Sequence, residues 1–314
     1  MENKLAFVFP GQGSQYVGMN EPIQRFAEGA EVLETADRVL GMSLSRLMAE
    51  GPASELNRTV NTQPAIFTVS VAWLRILEAK GISPSVTAGH SLGEYAAMVC
   101  AGVLDFSDAL QLVQLRGRRM EEAVPEGFGT IMAILGLSPT EVDEICAEVG
   151  LEGVVAANYN CPGQVVISGE AALVEKAALL AREKGARRTV PLTVSGPFHS
   201  PFMQSVGDEL AAVLERLTVR DPKIPVVVNH TANVISSKAE AIDAMVKGVS
   251  SPVRWQETVE KLLRMGIDYF VEVGPGKVLS GLIRKTDRQA IVTSVEDPET
   301  LEKLLELQKG DVVI

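Results

Sequence analysis

Ser85-Val86-Thr87-Ala88-Gly89-His90-Ser91-Leu92-Gly93-Glu94 is the stretch whose reading decides the fold. Ser85 to Gly89 reads as a short extended run, and Glu94 to Ala101 as an apolar helical run. Between them lies Gly-x-Ser-x-Gly, from Gly89 to Gly93. A strand that turns sharply into a helix about such a serine is the context of a nucleophile elbow. The serine in that turn must hold an uncommon backbone conformation, at a cost of about 1–3 kcal/mol. Gly89 and Gly93 flank it because a Cβ at either position would strike the strand or helix that passes close by. Ser91 then stands at a helix N-terminus, where free N–H groups favour developing negative charge. The Leu92 N–H is a candidate oxyanion donor. The alternative is a glycine-rich turn with an uninvolved serine.

Outward from the elbow, strands and helices alternate. Leu5-Ala6-Phe7-Val8-Phe9 reads as a buried strand, ended by Pro10-Gly11-Gln12-Gly13-Ser14-Gln15. That loop is not a dinucleotide fingerprint, because Tyr16 stands where a third glycine is needed. It is not a phosphate-binding P-loop either, because Met19 stands where lysine is needed. It reads as a strand end that offers the Gln12 side chain and backbone N–H groups to a site, or else as a plain turn. Helical patterns follow at Ala30–Leu40 and Pro64–Lys80, the second with Pro64 in its first turn. Another opens at Asp105-Phe106-Ser107 and runs to Ala123.

From Gly127 the texture changes. Strands are predicted at Thr130–Leu135, Val154–Tyr159, Gln164–Ser168 and Ala186–Leu192, with a turn at Asn160-Cys161-Pro162-Gly163. Helices are predicted from the Ser138-Pro139 cap to Val149 and over Ala171–Lys184. The order βαββαβ is the ferredoxin-like split motif. Beyond it come a helix to Leu217, a strand at Ile224–Asn229 and a helix at Ala239–Val249. A helix opening at Pro252-Val253-Arg254-Trp255, a strand at Asp268–Val273 and a helix at Lys277–Lys285 follow. The chain closes on a strand at Ala290–Thr293 and a helix at Pro298–Gln308. The expected fold is α/β: an α/β-hydrolase-like large domain with a mostly parallel sheet, built from residues 1–126 and 197–314, and an inserted ferredoxin-like domain at 127–196.

With 314 residues, 46% apolar and 22% charged, the chain has the composition of a soluble globular protein. The start, Met1 to Pro10, lacks a basic region followed by an apolar run, so no signal peptide is expected. No segment approaches the ~20 unbroken apolar residues of a membrane span. Cys100, Cys146 and Cys161 lie far apart, which argues against a disulfide framework or a zinc site and fits a reducing cytoplasm. A net charge of −11 disfavours nucleic acid as a partner. The protein is expected to be cytoplasmic and monomeric.

Two side chains stand out. At 3.6 residues per turn, one face of the helix from Phe106 carries Ala109, Leu112, Val113, Arg116, Gly117 and Met120. Arg116 therefore lies in the apolar stripe, while Arg118 and Arg119 do not. A guanidinium turned inward needs a partner. That partner is an internal carboxylate, or else a carboxylate on a substrate held in the bidentate way arginine allows. A serine nucleophile also needs a base, and the chain has three histidines. His90 sits beside Ser91 and is expected to point to the opposite face of the strand. His230 reads as a histidine satisfied by loop backbone. His199, in a Gly-Pro-rich loop between the two domains, is the candidate base. No acidic residue presents itself near His199, so a backbone carbonyl is expected to orient it.

Phe9-Pro10-Gly11-Gln12-Gly13-Ser14-Gln15, Gly89-His90-Ser91-Leu92-Gly93-Glu94, Arg116-Gly117-Arg118, Gly196-Pro197-Phe198-His199-Ser200 and Val273-Gly274-Pro275-Gly276 come in one order along nearly the whole chain. Together they resemble the malonyl-CoA:acyl carrier protein transacylases. The resemblance implies ping-pong transfer of malonyl from malonyl-CoA to the phosphopantetheine thiol of acyl carrier protein, with no bound cofactor. It implies Ser91 as nucleophile, His199 as base and acid, the N–H groups of Gln12 and Leu92 as oxyanion hole, and Arg116 as clamp on the malonyl carboxylate. Asn160 matches a cleft-lining asparagine, and Gln63 a glutamine near the substrate. Four residues before Pro252 the family often carries a glutamine whose carbonyl orients the histidine; here that position is Gly248. Phe198 and Leu92 resemble residues of malonyl-selective members. Transient docking of an acidic carrier protein would use Arg182, Lys184, Arg187 and Arg188, or Arg284 and Lys285. The rivals are a serine hydrolase, which usually places an acid between serine and histidine in the chain, and a non-catalytic docking subunit.

Overall fold

Leu5 to Phe9 form β1 (Leu5–Phe9), and its alternating side chains enter two different cores. Leu5, Phe7 and Phe9 face one, Ala6 and Val8 the other. A strand buried on both faces must be apolar throughout, which is why this run shows no polar alternation. The structure is a computed structural model and describes residues 4–192 and 196–309. Met1 to Asn3, which fell in the segment read for a signal peptide, lie outside the described residues.

After β1 come α1 (Ala27–Leu40), α2 (Leu44–Glu50), α3 (Ala53–Leu56) and α4 (Thr59–Ala79). β2 (Val86–Gly89), α5 (Gly93–Cys100) and α6 (Phe106–Glu122) follow. The middle of the chain gives β3 (Gly129–Leu135), α7 (Pro139–Val149), β4 (Val154–Cys161), β5 (Gln164–Glu170), α8 (Ala171–Glu183) and β6 (Arg188–Pro191). The last part gives α9 (Gln204–Leu214), β7 (Val226–Val227), β8 (Val234–Ile235), α10 (Lys238–Lys247), α11 (Trp255–Arg264), β9 (Tyr269–Val273), α12 (Val278–Thr286), β10 (Ile291–Val295) and α13 (Pro298–Lys309).

The fold is mixed α/β with two sheets. The larger has the order β10-β9-β1-β2-β7-β8 and is parallel except for the β7–β8 pair. The smaller, β4-β5-β3-β6, is antiparallel throughout. β1 pairs with β2 on one side and β9 on the other, so the strand order reverses at β1. Ligands of open parallel sheets gather at the carboxyl ends of strands beside such a reversal. The Gln12 loop and the serine turn leave the sheet there from neighbouring strands, with Phe9 opposite Gly89. The two sheets are stitched together where β4 meets the segment before α11. The Val253 N–H donates to the Ala157 carbonyl at 2.8 Å, and the Tyr159 N–H to the Val253 carbonyl at 2.9 Å. Two register shifts in β4, after Ala156 and after Tyr159, bend the strand beside this seam.

Several local expectations are corrected. The second long helix begins at Thr59, so Pro64 and Gln63 lie inside α4 and not at its start. Glu121 on α6 accepts the Val60 N–H at 3.0 Å, satisfying a free donor of the first turn from a distant helix. Asn160 and Cys161 belong to β4, because the bulged strand continues through the expected turn. The strand expected over Ile224–Asn229 shrinks to Val226–Val227. α2, α3 and β8 carry too short a pattern to be read from sequence. The Ser138 cap is present as expected, with Glu141 completing a capping box. Among the described residues, no helix is long and apolar enough to cross a membrane.

Candidate active site

Ser91 lies in the β2–α5 turn with φ +51°, a left-handed conformation that a residue with a side chain rarely adopts. Space forces the glycines beside it. A Cβ on Gly89 would collide with the Gly93 carbonyl, and one on Gly93 with the Phe9 carbonyl. The turn can therefore close tightly only with glycine at both places.

His199, with φ +57°, reaches the serine from the loop that leads to α9. Its Nε2 is 2.7 Å from the Ser91 Oγ. Its Nδ1 is 2.9 Å from the Gly248 carbonyl and 3.1 Å from that of Ser251. Two carbonyl acceptors fix the proton of the neutral ring on Nδ1, which leaves the Nε2 lone pair to accept from the Ser91 hydroxyl. The Gly248 carbonyl lies where the sequence reading put it; the Ser251 carbonyl was not foreseen, because a backbone acceptor has no side-chain signature. Burial, then the Arg116 and His90 charges, push the His199 pKa down to about 3. The imidazole is thus an unprotonated base throughout the neutral range.

Between about 3 and the ordinary histidine value of 6.5, the unfolded chain binds a proton that the folded chain does not. The stability held by neutral His199 is complete above 6.5 and drains away as pH falls toward 3. Denaturant melts of wild type and His199→Gln from pH 8 to 4 are expected to converge on acidification, with wild type losing more. Parallel melting curves would contradict the assignment.

Arg116 is 2% exposed and projects from the apolar face of α6 as its spacing implies. Its Nη1 donates to Gln63 Oε1 at 2.7 Å, and its Nη2 to Ser91 Oγ at 3.2 Å. The guanidinium lies 5.6 Å from the centre of the Tyr95 ring. Among the described residues no carboxylate forms an ion pair with it, and its Nε has no partner. Glu94 is the nearby acid, but burial raises its pKa to about 8, so it is a weak counter-charge at neutral pH. Gln63 holds the guanidinium on one side and donates to Met120 Sδ at 3.5 Å on the other.

Gln12 is anchored through its side chain, Nε2 to Thr59 Oγ1 at 3.2 Å. The backbone N–H groups of Gln12 and Leu92 make no hydrogen bond among the described residues, and both residues line the cleft that holds Ser91. That cleft is about 420 Å³ and draws its walls from the smaller sheet, through Ile131, Asn158, Asn160 and Val166, and from α12, through Leu279 and Leu282. His90 contradicts its expected direction. β2 ends at Gly89, so strand alternation no longer applies, and His90 Nε2 meets Asn160 Oδ1 at 2.8 Å across the cleft. His230, outside the cleft lining, is not satisfied by loop backbone as expected: its Nε2 faces Asp243 on α10 at 3.5 Å, and its Nδ1 has no partner among the described residues. Asn229, unforeseen, bonds to the elbow itself: its Oδ1 accepts the Ser91 N–H at 2.6 Å.

Residues 6–310 match the family model described as the acyl transferase domain. The chain belongs to the acyl transferase family. It is an acyltransferase, and the resemblance seen in its motifs is matched along its length. It is 46% identical over 312 residues to the malonyl CoA-acyl carrier protein transacylase of Bacillus subtilis, covering 98% of each chain. It is 42% identical to the protein of the same name from Escherichia coli, covering 97% of this chain and 99% of that one. Among solved structures, the acyl-carrier-protein S-malonyltransferase of Burkholderia pseudomallei superposes with a TM-score of 0.94 at 46% identity, covering 96% of this chain and 99% of that one. A malonyl-transacylase in complex with a type II PKS acyl-carrier protein superposes with 0.95 at 43% identity, covering 97% and 100%.

Proposed function

We propose that this acyltransferase moves the malonyl group of malonyl-CoA to the phosphopantetheine thiol of an acyl carrier protein through a malonyl-Ser91 ester. The observation that carries the reading is the buried Arg116 guanidinium, 3.2 Å from the Ser91 hydroxyl and, among the described residues, without a carboxylate in an ion pair with it. A malonyl thioester has its reactive carbonyl and its free carboxylate separated by one carbon. A carboxylate gripped by Arg116 leaves the thioester carbon beside Ser91 Oγ. Gln63 holds the guanidinium in place for that grip.

In the first half-reaction Ser91 Oγ attacks the thioester carbon while its proton passes to His199 Nε2. The negative oxygen of the tetrahedral intermediate accepts from the Gln12 and Leu92 N–H groups. Collapse breaks the C–S bond, and His199 returns the proton to the departing CoA sulfur. In the second half the carrier's thiol gives its proton to His199 and attacks the ester carbon. The C–O bond breaks, and the proton goes back to Ser91. Gly248 and Ser251 hold the imidazole by their carbonyls. Asn160, bonded to His90, lines the cleft opposite the nucleophile. Phe198 and Leu92 wall the cleft in support of malonyl over bulkier acyl groups.

The two sheets support the division into a large domain, 1–126 with 197–314, and a small one, 127–196. The former has the strand–elbow–helix of an α/β hydrolase, and the latter the βαββαβ order of the ferredoxin-like motif. Of the basic clusters, the one on α12 reaches the cleft rim through Lys285, whose Nζ lies 3.5 Å from Oε1 of the cleft residue Gln164. Lys184 is engaged by Glu148 and Arg182 by Thr189. The contact of Lys285 with the cleft rim supports docking of the carrier protein beside α12.

The test is mass spectrometry of the protein after exposure to malonyl-CoA, with and without a phosphopantetheinylated carrier. Malonyl is expected on Ser91 first and on the carrier after it is added. Release mainly as free malonate would favour the hydrolase reading instead.

A further inference from the structure

We propose that Asn229 is a positioning residue, whose side-chain amide extends the parallel ladder of β2 and β7 around the elbow and so holds the nucleophile in its strained conformation. The proposal rests on Ser91 being the nucleophile. The register pairs Thr87 with Val226 and Ala88 with Val227. Continued by two residues, it sets Asn229 opposite His90. A backbone in that place would donate to the carbonyl of residue 89 and accept from the N–H of residue 91, as neighbours in a parallel pair do. The backbone of Asn229 does neither. Its N–H donates to Glu94 Oε2 at 2.6 Å, and its carbonyl accepts from the Arg254 N–H at 3.0 Å.

The side chain makes those two bonds in its place. Asn229 Nδ2 donates to the Gly89 carbonyl at 2.5 Å, and Oδ1 accepts from the Ser91 N–H at 2.6 Å. An amide is needed because one donor and one acceptor must sit side by side. Asn229 is 3% exposed and does not line the cleft, so it touches neither the acyl group nor the thiol. Its effect runs through the backbone of Ser91. By engaging the Ser91 N–H it turns that donor away from the cleft and leaves the oxyanion to Gln12 and Leu92. Buried Glu94 fixes Asn229 in turn, which gives the acidic residue after the elbow glycine a task.

Asn229→Ala removes both bonds. The rate of malonyl-Ser91 formation is expected to fall about a hundredfold, the scale of a small misplacement of reacting atoms. The KM for malonyl-CoA is expected to stay within about threefold, since the carboxylate grip is untouched. Asn229→Asp supplies a sharper reading. Protonated, the carboxyl has one donor and one acceptor and restores both bonds. Ionised, it opposes the Gly89 carbonyl with negative charge. The titratable and charged residues around this position are Glu94 and Tyr95 on α5, Arg116 on α6, His90 opposite it in the turn, Arg254 before α11 and, beyond the serine, His199. All are shared with the wild type, so the ratio of variant to wild-type rate isolates the new carboxyl. That ratio is expected to approach one at acid pH and to fall by tenfold or more as pH rises.

An Asn229→Asp ratio that does not change with pH, or an Asn229→Ala rate within threefold of wild type, would overturn the proposal. Should Asn229→Ala not fold, the aspartate profile on a folded sample decides. Ser91→Ala in the same assay separates the two levels. Malonyl label persisting in Ser91→Ala removes the premise. Label lost there while the aspartate profile stays flat removes only the role of Asn229.

Discussion

Ser91→Ala is expected to abolish the malonyl-enzyme and to cut transfer by about 10⁴–10⁶-fold, the scale on which an acyl-transfer nucleophile fails when its oxygen is removed. Burial pushes the Cys100 and Cys146 thiols up to about 12 and raises that of Cys161, and among the described residues no cysteine or lysine lines the cleft. Binding of malonyl-CoA is expected to stay within a few fold, because Arg116 and Gln63 remain. The backbone gives this experiment a second readout. Alanine keeps the Cβ that a φ of +51° penalises, whereas glycine does not. Both lose the same hydroxyl and its bonds to His199 and Arg116. Ser91→Gly is therefore expected to be as inactive as Ser91→Ala but more stable by about 1 kcal/mol or more. Denaturant melts of the two inactive variants measure the strain that the fold stores at the nucleophile. Equal midpoints would mean that the turn relaxes when the hydroxyl leaves.

The parts of this site that were legible in sequence are those whose signal is local. The elbow announces itself by glycines that sterics require within three residues of Ser91. Arg116 announces itself by standing three residues from Val113 and four from Leu112 on one apolar stripe of one helix. His199 emerged from there being so few histidines. What stayed illegible depends on partners far away in the chain. Asn229 is an ordinary asparagine until the β2–β7 register sets it opposite His90. The start of α4 is decided by Glu121, sixty-one residues from Val60. His90 was misdirected because alternation was carried one residue past the end of β2, into a turn whose left-handed serine resets every direction. The Ser251 carbonyl could not be foreseen from any side chain. The same positions in space are thus reached by two kinds of cause, and only the local kind is written in a short window of sequence.

Arg116→Ala is the experiment that separates a substrate clamp from a structural charge. Breaking a buried, hydrogen-bonded charge pair costs about 3–5 kcal/mol, or roughly 10²–10³-fold and somewhat beyond in kcat/KM. Malonyl transfer is expected to fall by that amount. Transfer of acetyl, which has no carboxylate to grip, is expected to persist, so the preference between the two acyl groups collapses or reverses. Arg116→Lys is not expected to restore the preference. A single ammonium cannot hold Gln63 and a bidentate carboxylate from one planar fork. The rival account makes Arg116 a packing element of α6, buried against Tyr95 and Gln63. Under that account its removal deforms the cleft, and both acyl groups lose activity together. The ratio of malonyl to acetyl kcat/KM therefore carries the decision, since any general damage to Ser91 or His199 cancels from it. A ratio unchanged by Arg116→Ala would leave the guanidinium beside the nucleophile without a substrate to bind.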